Sequence, residues 1–137
     1  MSEQTDDTTG TAVSETTAFR VARLLYGGVL VLTAISGLRN IDAQAGYAES
    51  KGIPLPEESV VSSHGLLLLG GIGISIWRLP ALAASAVVAF FVGVTPTIHD
   101  YWAHDGQERQ NERNHFLKNA ALAGAALAFL GVGEKKK

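Results

Sequence analysis

The sequence predicts an all-α fold, an integral membrane bundle of four antiparallel helices. Two observations lead there. Four apolar stretches, residues 19–38, 60–77, 81–98 and 116–132, stand out in a chain of 137 residues that is 47% hydrophobic. A hydrocarbon core about 30 Å thick needs roughly 20 helical residues, so each stretch is near spanning length. Charge is also missing from long runs: Leu24 to Leu38, Leu79 to Ile98 and Asn119 to Gly133 contain no Asp, Glu, Lys or Arg. A water-soluble bundle would carry a charged stripe along each helix, and a helix apolar on every side needs lipid or a large core around it.

Residues 1–18 precede the first span, with Glu3, Asp6, Asp7 and Glu15, no Lys or Arg, and six threonines. This composition predicts a disordered polar tail. No basic start and no small-residue cleavage site is evident, so the first span is expected to remain as an anchor. Span one carries Gly27, Gly28 and Gly37, and span two Gly70, Gly71 and Gly73. Small residues let helix backbones approach closely in lipid. In span three Ala81, Ser85, Ala89 and Gly93 recur every four residues, as do Ala120, Gly124 and Ala128 in span four, and each series is expected to form a helix-packing face.

The segment Trp77, Arg78, Leu79 and Pro80 reads as a tight turn, with Trp suited to the interface and Pro placed to open a helix. Spans two and three are thus expected to form a hairpin. Pro96 should loosen the end of span three. Longer connections run from Arg39 to Ser59 and from His99 to His115, and residues 133–137 form a short basic tail. Basic residues divide six to five between the two faces, which leaves a lean toward both termini in the cytoplasm and a multi-pass location in the cell membrane.

Several functions are excluded or disfavoured. The absence of cysteine removes disulfides, thiolate nucleophiles and iron–sulfur ligation within the chain. A net charge of −2 with no basic patch excludes nucleic acid as a partner. No catalytic motif is present, so a redox role would belong to a complex.

Four crossings bring the end of span one, the start of span two, the end of span three and the start of span four to one face. That face collects Arg39, His64, His99, Asp100, His115, Lys118 and Asn119, with Trp102 beside them and His104 in the loop. Ionisable groups at membrane depth are costly and mark functional sites. Lys118 is expected to pair with Asp100, with His99 and His64 as neighbours. A metal site of His64, His99, His115 and Asp100 is disfavoured: no HExxH-like spacing occurs, and Lys118 would repel the cation.

Certain motifs resemble the DoxX family of small four-helix membrane proteins. They are Arg23, Gly27 and Gly37-Leu38-Arg39 in span one, YAESKGIP at 47–54, Gly70-Gly71, HDYW at 99–102 and HFLKNAALAG at 115–124. The family often has a Glu one turn before the glycine pair, where this chain has Leu67, and a Lys at the end of span one, where it has Arg39. The resemblance implies a redox-associated membrane subunit, with a polar or quinone-binding site at one membrane face and other membrane or redox subunits as partners beside the lipid bilayer. It supplies no catalytic residue. The alternatives are a noncatalytic scaffold or assembly factor and, last, a small transporter.

Overall fold

The computed structural model describes residues 13–134, and every regular element among them is helical. Of the tail expected to be disordered, residues 1–12 lie outside the described residues, as do the lysines at 135–137, whereas residues 13–15 are helical and the first long helix already begins at Thr17. Helix α1 spans Thr17–Arg39, α2 Ile41–Ser50, α3 Pro56–Ile76, α4 Pro80–Ile98 and α5 Gly106–Glu134, with a single 3-10 turn at Tyr101–Ala103 before α5. Helices α1, α3, α4 and α5 are long and apolar enough to cross a membrane.

The helix ends follow from local chemistry. Thr16 caps α1, its hydroxyl accepting from the amide of Phe19. Pro56 and Pro80 open α3 and α4, where a missing N–H costs nothing. The hairpin turn between α3 and α4 holds Trp77 at φ 58° and Leu79 at φ 48°, both left-handed without being glycine. Such backbone persists only where packing over-determines it. Trp77 is buried and sets its ring edge-on to Phe19 at 4.9 Å. Pro96 does not end α4, and the amide of His99 still donates to the carbonyl of Thr95.

Two boundaries differ from expectation. The connection after Arg39 holds α2, which lays Ala45 and Ala48 on Val60 of α3 as a small separate core. Helix α5 begins at Gly106 rather than Phe116, because Gln, Glu, Arg and Asn sustain a helix that a search for apolar residues passes over.

Glycine sets the approach of neighbouring helices. A Cβ on Gly27 of α1 would strike Ser75 and Gly71 of α3, and one on Gly37 would enter the ring of His64. Gly70 and Gly73 of α3 face Ala83 of α4, and Gly133 of α5 faces Pro80 and Ala81 of α4. The core between them is built on Leu30, Ala34, Leu67, Ile74, Val87, Phe91, Ala126 and Phe129.

The four-residue small series do not serve this packing. Ser85, Ala89 and Gly93 are exposed, as are Ala120, Gly124 and Ala128, and a Cβ on Gly93 or Gly124 would meet nothing within 4 Å. Ala81, by contrast, lies against Gly133 of α5. The larger side chains decide the rotation: α4 turns Val87, Phe90 and Phe91 inward and α5 turns Phe129 inward. Burying them removes more apolar surface than burying alanine would.

Helices α1 and α5 meet through side chains at one end. Phe19, Trp77 and Phe129 stack edge to edge, Tyr26 lies on Phe129, and the Tyr26 hydroxyl donates to the carbonyl of Leu122. Beyond Tyr26, toward the histidines, the seam opens.

Candidate site in the seam between α1 and α5

The open seam is a cavity of about 1270 Å³. Its deep walls are apolar, from Leu30, Leu67, Phe90, Phe91, Val94 and Leu122. Val29 and Leu32 of α1 also line it and are more than half exposed, so the cavity opens sideways on the outer surface of the helices. Its other end is polar, lined by Tyr47, His64, His99, Glu112, His115, Lys118 and Asn119.

The polar end is reached by helical spacing. Glu112, His115 and Asn119 follow at three and four residues along α5 and share a face. Asn119 is 8% exposed, lines the cavity, and has no hydrogen-bond partner among the described residues. Lys118 likewise lines the cavity without a partner among them. His64 directs Nδ1 at the carbonyl of Val60, 2.9 Å away, so that nitrogen carries the proton and Nε2 is left as an acceptor. Its ring lies edge-on to Phe90. His99 and His115 stack at 5.0 Å, and His99 Nδ1 lies 3.4 Å from Glu112 Oε2.

Beside the cavity stands a network that sequence reasoning paired differently. Asp100 bonds Lys51, Nζ to Oδ1 at 2.6 Å, rather than Lys118. The reason is reach: Lys51 closes α2 and lies over the loop that begins at His99, whereas Lys118 sits exposed on α5 along the cavity. Lys51 Nζ is also 3.2 Å from His104 Nε2, and His104 Nε2 is 3.2 Å from Asp100 Oδ1. Burial tends to lower the Lys51 pKa, but the Asp100 hydrogen bond and the negative partners around it outweigh this and hold it above the ordinary lysine value. Burial, aided by the charge of Glu112, raises the Tyr47 phenol.

Of the expected site residues, His64, His99, His115, Lys118 and Asn119 gather on the cavity and Asp100 stands beside it. Arg39 is exposed at the end of α1 and does not line the cavity. Trp102 is exposed too, packed on Tyr101 and Phe116. His64, His99, His115 and Asp100 do not converge as a ligand set. The acid and histidine atoms that do converge among the described residues belong to Asp100, His104 and Glu112, all within 4.8 Å of one another. Lys51 Nζ already supplies a cation to this trio at Asp100 and His104. Tyr47, Lys51 and Glu112 were missed from sequence. The spacing of Glu112 from His115 and Asn119 was the available signal, hidden because α5 was started at Phe116.

No protein-family model matches the chain, and no curated protein and no solved structure matches it.

Proposed function

We propose that the chain is an integral membrane protein of the cell membrane, an antiparallel four-helix bundle with both termini cytoplasmic. In this reading it serves as a redox-associated subunit that holds a quinone head group in the seam between α1 and α5. One observation carries it: the unpartnered amide of Asn119 and ammonium of Lys118 at the polar end of an otherwise apolar, sideways-open cavity. Both groups line the cavity and have no partner among the described residues, so each is free to donate to an acceptor brought there. A quinone carbonyl is such an acceptor, and its isoprenoid tail suits Leu30, Phe91 and Leu122. The DoxX-like motifs point the same way, since HFLKNAALAG contains His115, Lys118 and Asn119.

The test is direct. The full chain in lipid nanodiscs is titrated with decylubiquinone, following quenching of tryptophan fluorescence. Saturable quenching is expected, weakened about tenfold in Lys118→Ala and in Asn119→Ala, the equivalent of a lost hydrogen bond each. Absence of saturation, or unchanged affinity in both variants, would reject the reading.

A second reading, a noncatalytic scaffold, draws on the outward small-residue faces of α4 and α5. Such faces suit close packing against another membrane helix. Here Gly93→Leu and Gly124→Leu would abolish recovery of a partner while decylubiquinone binding is nil.

A further inference from the structure

A line of carboxylates and imidazoles leads from the aqueous surface to the polar end of the cavity, and the proposed binding role uses only its inner end. It starts at Glu108, whose side chain is 70% exposed, with Oε1 3.3 Å from His104 Nδ1. The opposite ring nitrogen, His104 Nε2, is 3.2 Å from Asp100 Oδ1. The facing oxygens of Asp100 and Glu112 lie within 4.8 Å of one another, close enough for one bridging water. Glu112 Oε2 is 3.4 Å from His99 Nδ1, and His99 stacks on His115. Side-chain exposure is 70% at Glu108 and between 13% and 25% at His104, Asp100, Glu112 and His99.

His104 is the distinctive link. With the proton on Nε2 it donates to Asp100. With the proton on Nδ1 it donates to Glu108, and Nε2 is then free to accept from Lys51. Both tautomers are satisfied, so neither traps the proton. Lys51 stays charged throughout, keeping the Asp100 carboxylate an acceptor.

We propose that this chain is a proton relay, exchanging protons between water at Glu108 and the head group of a molecule held in the cavity. Protonated Glu108 gives its proton to His104 Nδ1. The imidazolium releases the Nε2 proton to the Asp100 carboxylate, and rotation of the ring resets His104. Asp100 passes the proton to Glu112 and Glu112 to His99 Nδ1; the His99 imidazolium releases its Nε2 proton to the head group, and rotation of its ring restores the starting tautomer. One proton leaves water and one reaches the cavity, with no net change in the residues between. The relay rests on the cavity being a binding site.

The experiment uses the full chain in nanodiscs loaded with 4-heptadecyl-7-hydroxycoumarin, an amphiphile with a titratable head. Energy transfer from Trp77 and Trp102 selects the bound probe, and a stopped-flow pH jump gives its protonation rate. His104→Asn and Glu108→Gln, both outside the cavity lining, are expected to slow that rate about tenfold or more, the scale of a lost acid–base group, while leaving probe affinity unchanged. Equal rates in both variants and wild type would overturn the relay. Absence of saturable energy transfer in the wild type would remove the binding site and the relay with it. Should His104→Asn fail to bind the probe, the rate of Glu108→Gln decides: slowing supports transfer along the chain, and no slowing overturns it.

Discussion

The ammonium of Lys51 donates to the carboxylate of Asp100 at 2.6 Å, joining the end of α2 to the loop that follows α4. Helix α2 packs on α3, while the loop that carries Asp100 leads into α5. Tyr47, one turn before Lys51, supports the same crossing, its hydroxyl donating to the Ile98 carbonyl at 3.5 Å. Helix α2 is therefore a roof attached on one side by packing and on the other by polar bonds.

Breaking the Lys51 bond should open that roof. The chain has no cysteine, so a single Ser63→Cys gives a clean reporter on the cavity wall. Lys51→Ala should raise its rate of modification by a membrane-impermeant thiol reagent roughly fivefold, corresponding to about 1 kcal/mol of lost closure. The exchanged pair Lys51→Asp with Asp100→Lys should restore slow modification. A rate unchanged by Lys51→Ala would show that the roof stands without the bond.

The same reporter predicts a pH dependence. Lys51 is held above its ordinary pKa, so its contribution is complete below the unfolded-state value and disappears as pH rises through the folded-state one. Modification of the cysteine, corrected for reagent chemistry with Lys51→Ala as reference, should stay slow through neutral and mildly alkaline solution. It should accelerate only above the ordinary lysine range.

Glycine at the contact of α1 and α3 should tolerate nothing larger. Gly27→Val places carbon against Ser75 and the Gly71 carbonyl, both in the helix opposite, and overpacking of this kind costs about 1–3 kcal/mol. Gly28→Ala, one residue on with nothing within 4 Å, should leave the melting temperature in detergent unchanged or slightly higher. Equal effects of the two substitutions would contradict the packing.

Tyr26→Phe removes the hydroxyl that bonds the Leu122 carbonyl while keeping the ring on Phe129. A loss of about 1 kcal/mol is expected, read as a lower melting temperature. The ring contacts remain, so helicity by circular dichroism should not change.

The four long helices were legible because charge is excluded from apolar runs, a signal that needs no knowledge of tertiary contacts. Helix α2 was not, since IDAQAGYAES mixes small, polar and acidic residues and is held by Ala45 and Ala48 against a distant Val60. The inward face of α4 differs for a related reason: the four-residue spacing singles out only the small residues, and packing instead turns Val87 and Phe91 inward. At the candidate site the histidines and Lys118 could be brought to one end by counting crossings. The partner of Asp100 could not, because Lys51 is 49 positions away and no periodicity links them.

The aromatic contacts of Phe19, Tyr26, Trp77 and Phe129 tie α1 to α5 at the end away from the histidines. In a bilayer this makes the molecule sided. On the proposed membrane reading, a lipid-soluble guest moving sideways into the seam would meet a wall in one leaflet and a doorway in the other. The monolayer next to the histidines would set which molecules are sampled and at what concentration, and an asymmetric membrane would load the protein from one half of its lipids alone.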